Sequence, residues 1–69
     1  MSNRKITPEE VDRIQVVMLK KKLSDKECAN IVGRSVSDWK AIVMKKKIED
    51  PGRIESMINR LEKYERGRF

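Results

Sequence analysis

The sequence predicts an all-α fold, and three observations carry that prediction. Apolar residues recur at helical spacing in four separate stretches. Capping residues and Pro or Gly breaks separate those stretches. Strand-like alternation never runs beyond four residues, and no internal repeat is present. With 69 residues the chain makes one domain, expected over 7–65. A flexible basic tail is expected over 1–6 and a frayed basic end over 66–69. A chain of this length buries only about 60% of its unfolded surface, so its core is thin.

The first helix is expected over 8–22. Thr7 can cap its free N–H groups, Pro8 suits its first position, and Glu10 completes a capping box. Val11, Ile14, Val17 and Met18 form its buried stripe, and Lys20, Lys21 and Lys22 suit the negative end of its dipole. Ser24 and Glu27 make a second box that opens a short helix over 25–32, stopped by Gly33. Ser35 can cap a third helix over 36–47, with Asp38 in its first turn. Val36, Trp39, Ile42 and Val43 form its apolar side. Asp50-Pro51-Gly52 breaks the chain before a fourth helix over 52–65, where Ile54, Met57, Ile58 and Leu61 recur at i, i+3, i+4 and i+7.

Composition narrows the function. Histidine is absent, which removes the commonest general base and a common metal ligand. Cys28 is the only cysteine; one thiol neither closes an internal disulfide nor holds zinc, and it reads as a small buried hydrophobe. These absences argue against an enzyme and call for no cofactor and no metal. Aromatic residues make up 4%, too few for an aromatic-stacking RNA module. The longest apolar run, Val16 to Leu19, is far short of a membrane span or the core of a signal peptide, so a cytoplasmic protein is expected. Seventeen Lys and Arg against eleven Asp and Glu give +6, an excess that favours a polyanionic partner.

The short second and third helices, joined through a glycine turn, carry a more specific pattern. Counted from Asp25, Ala29 stands fifth and Gly33 ninth, while Cys28, Val32, Trp39 and Ile42 stand fourth, eighth, fifteenth and eighteenth. A small residue is needed where two helices cross closely, and glycine takes the left-handed turn without steric cost. This spacing resembles the helix-turn-helix superfamily. The stretch from Ile6 to Lys47 is similar to the three-helix DNA-binding units of recombinases, transposases and small phage-type repressors, with the fourth helix outside the likeness. One position departs from the pattern: Arg34 follows the turn glycine where the family usually has an apolar residue. An arginine there can bury its stem and turn its charge out to a phosphate.

The resemblance implies a sequence-specific double-stranded DNA-binding transcription regulator, with helix 36–47 in the major groove. Base contacts would then come from Ser37, Asp38, Lys40, Ala41 and Met44. Lys40 suits guanine O6 and N7, Asp38 a cytosine amino group, and Ala41 a thymine methyl. Phosphate contacts would come from Arg34, Ser35, Lys45, Lys46 and Lys47. Arg34 to Lys47 carries five cations and one anion, a local +4 out of the molecule's +6. Two other readings remain at this level: a protein-interaction module docking on RNA polymerase or another regulator, and nonspecific nucleic-acid binding through lysines alone. The apolar stripe of the fourth helix can complete the core or pair with a second copy, and a homodimer through that helix is expected.

Overall fold

Local signals place four helices, and the computed structural model, which describes residues 3–65, shows all four. They are α1 (Pro8–Lys21), α2 (Asp25–Val32), α3 (Val36–Val43) and α4 (Pro51–Lys63). No strand occurs among the described residues, apart from one isolated antiparallel bridge between Arg4 and Glu49. Both capping boxes form: Thr7 and Glu10 exchange bonds at the head of α1, and Ser24 and Glu27 do so at α2. Asp50 opens α4 by accepting from the Gly52 N–H at 2.8 Å.

α3 ends at Val43, four residues earlier than its expected limit at Lys47. Its apolar side stops there, so a further turn would have had nothing to pack against. Lys45 instead takes a left-handed φ of 64°. Its N–H reaches the Ile42 carbonyl at 3.1 Å, and the Lys46 N–H reaches the Ala41 carbonyl at 2.9 Å. This pair of hydrogen bonds closes the helix in the manner usually served by glycine. The chain then turns back so that Glu49 exchanges both backbone hydrogen bonds with Arg4, at 2.9 and 3.0 Å.

That bridge changes the reading of the N-terminal segment. Within the stretch expected to be a free tail, Arg4 is tied to Glu49, and Ile6 is only 3% exposed. Ile6 precedes the cap residue Thr7, the position from which an apolar side chain packs onto the first turn of the helix. Leu23, before Ser24, is buried in the same relation to α2. The end expected to fray, 66–69, lies outside the described residues.

α2 packs on α3, and α4 lies against both α1 and α2. The core gathers Ile14, Cys28, Trp39, Ile42, Ile54, Ile58 and Leu61, all essentially inaccessible to solvent. Burial pushes the Cys28 thiol up to about 11, with Asp25 and Glu27 adding to the rise, so it stays a neutral packing group. The small Ala29 is also buried in this core, on the helix that packs against α3. All four apolar residues of α4 point into its own protomer, and its outward positions Arg53, Ser56, Asn59, Arg60 and Lys63 are polar. The homodimer expected through this helix therefore has no apolar face there to use. No helix among the described residues is long and apolar enough to cross a membrane.

Candidate functional site

The link between α2 and α3 is Gly33-Arg34-Ser35. Gly33 holds φ 75°, and the Arg34 N–H returns to the Ala29 carbonyl at 2.8 Å, which ends α2 and redirects the chain. Ser35 opens α3 by accepting from the Asp38 N–H at 3.1 Å. From that start the helix period turns Trp39 and Ile42 inward, at 0% and 1% exposure. The indole Nε1–H of Trp39 donates to the Asp25 carboxylate at 3.2 Å, tying α3 to the first turn of α2.

The opposite side of α3 is open. Ser37 and Lys40 are exposed, Ala41 is half-buried, and Met44 is 61% exposed just past the helix end. Lys40 and Met44 also edge a groove against α1, where Val11 and Gln15 form the far wall. Lys45 and Lys46 follow in the closing turn, both exposed and without an acidic partner among the described residues. Lys40, Lys45 and Lys46 are thus the lysines of this segment that stay exposed and outside the ion pairs seen among the described residues.

The remaining expected contacts are engaged within the protein. Arg34 does not send its guanidinium to solvent: it bonds Asp38 at 2.7 Å and Glu49 at 3.2 and 3.3 Å, and its side chain is 19% exposed. Asp38 also receives the Lys47 ammonium. These cations, Lys47 foremost and then Arg34, hold the Asp38 carboxyl below its ordinary range. Asp38 and then Glu49 likewise raise Arg34. The physical reason is geometric. The turn at Lys45 swings Glu49 beneath the α2–α3 link, and a buried arginine fork takes a carboxylate in preference to facing none. Ser35 has its hydroxyl oxygen on the helix cap. Of the ten expected contacts, Ser37, Lys40, Met44, Lys45 and Lys46 stand open to a ligand, with Ala41 partly so.

Elsewhere the lysine run of α1 divides. Lys20 is exposed, while Lys21 donates to the carbonyls of Leu61, Glu62 and Tyr64 and so caps the C-terminus of α4. No cluster of acidic or cysteine side chains among the described residues is arranged to hold a metal ion. Sequence reasoning missed the Arg34–Glu49 tie and the capping role of Lys21. Neither has a local signal, because each joins segments distant in the chain. No family profile, curated protein or solved structure matches this sequence.

Proposed function

We propose that the chain is a helix-turn-helix protein that binds double-stranded DNA in a sequence-specific way, a small transcription regulator of the phage or mobile-element kind. The observation that carries this reading is the division of α3: Trp39 and Ile42 are buried while Ser37, Lys40 and Met44 face outward. α3 then lies in the major groove, leading with its N-terminal residues. Lys40 and Ser37 read base edges, and Lys45 and Lys46 meet the phosphates flanking them. Asp38 is removed from base reading by its pairs with Lys47 and Arg34.

Selection of bound sequences from a random duplex pool, followed by titration at several salt concentrations, tests the proposal. Affinity should fall with a log–log slope of about −0.9 for each phosphate neutralised. Lys40→Ala should cost about 1–3 kcal/mol at one base position, whereas Lys46→Ala should weaken all duplexes alike and flatten the slope by about one unit. Failure of the pool to yield any enriched sequence overturns it.

One observation favours a second reading. Met44 and Ile48, at 61% and 54% exposure, leave apolar surface beside α3 that suits a protein partner such as a polymerase or another regulator. That reading stands if Met44→Ser abolishes capture by the partner and duplex retention is indifferent to both lysine changes.

A further inference from the structure

α1 carries a second face that the core does not use. Val16 is 54% exposed and Leu19 is 80% exposed, the largest value among the exposed large apolar side chains. Glu9, Asp12, Val16, Leu19 and Lys20 are all exposed and share one side of the helix, opposite the buried Ile14. Asp12 and Lys20 stand four residues before and four after Val16, and neither makes an ion pair among the described residues. Eight residues of helix separate them by about 12 Å, so they cannot meet within one chain.

We infer that this face is a contact between two copies of the chain, with α1 packed antiparallel on α1 about a two-fold axis through Val16. That axis brings Asp12 of each copy against Lys20 of the other, and closes both pairs at once. It also lines Val16 and Leu19 of both copies along a common seam and covers apolar surface that the monomer leaves wet. A parallel arrangement would set Asp12 on Asp12 and Lys20 on Lys20, which the charges oppose. The inference does not depend on DNA binding. A single helix pair is small beside the 1,200–2,000 Å² of a stable complex, roughly, so the dimer populates at high micromolar to millimolar concentration.

Sedimentation equilibrium over that range tests it, with circular dichroism to show that each exposed-site variant keeps its fold. The parent chain should follow a monomer–dimer equilibrium. Asp12→Lys puts lysine at both paired positions and Lys20→Asp puts aspartate at both, so each variant alone should self-associate more weakly, by about tenfold or more. An equimolar mixture of the two should recover parent-like association, because every cross-pair is again opposite in sign. A single 8.1 kDa species throughout for the parent overturns the inference. So does undiminished self-association of both variants, or a mixture that stays monomeric.

Discussion

Three described residues hold the left-handed backbone conformation, Lys22, Gly33 and Lys45, and only one of them is a glycine. Each sits just past a helix end, where the N–H groups of the turn reach back to carbonyls of the last turn. A Cβ at Gly33 would meet nothing within 4 Å, so substitution there is opposed by backbone conformation alone. Gly33→Ala should therefore lower stability by about 1–2 kcal/mol without disturbing the packing of α2 on α3. A urea midpoint equal to that of the parent would show that the turn tolerates alanine and that this account of Gly33 is mistaken. Gly33 was legible because its type and spacing both announce a turn. Lys45 was not, since lysine carries no such signal and the helix pattern simply thins out after Val43.

At the scale of the element, the head of α1 shows how local and distant bonds combine. Glu10 serves the Thr7 N–H in the capping box and also accepts both arms of Arg4, at 2.8 and 3.0 Å. The Arg4 guanidinium, and secondarily the Thr7 bonds, hold the Glu10 carboxyl down at about 2 from the ordinary 4.5. A carboxyl whose folded value is depressed adds stability above its unfolded value and loses that stability as pH falls through the folded one. The stability of the parent should thus decline between pH 4.5 and about 2, and Glu10→Gln should flatten that decline. Urea midpoints measured across this range for both proteins decide the matter; parallel curves would remove Glu10 from the explanation. The capping box was readable from Thr7-Pro8-Glu9-Glu10. The Arg4 clamp was not, because it needs Glu49 to anchor the N-terminal segment from the far side of α3.

For the whole molecule, Trp39 is the largest of the fully buried side chains in the core the four helices share. It is fully buried, belongs to the core that α1, α2 and α4 complete, and bonds Asp25 across the α2–α3 pair. Removing a buried aromatic side chain costs about 3–5 kcal/mol. A domain of this length has only about 3–10 kcal/mol in total. Trp39→Ala should leave much of the chain unfolded at room temperature, with all helices lost together rather than α3 alone. A cooperative thermal transition near that of the parent would contradict this. The variant also bears on function, since the inward anchoring of Trp39 turns the neighbouring Lys40 outward.

The sequence by itself determined the four helices, the N-terminal caps of the first three, the stop at Gly33, the inward stripe and hence the outward set Ser37, Lys40 and Met44. Those features follow from the period of the helix and from side chains acting within a few residues of themselves. Tertiary structure decided which charges remain open to a ligand. Arg34 and Lys47 are drawn onto Asp38 and Glu49, and Lys21 onto α4, because folding brings together groups whose separation along the chain carries no pattern. It also decided that α4 faces inward and that Val16 and Leu19 do not, since only the assembled core shows which apolar faces it has room to cover.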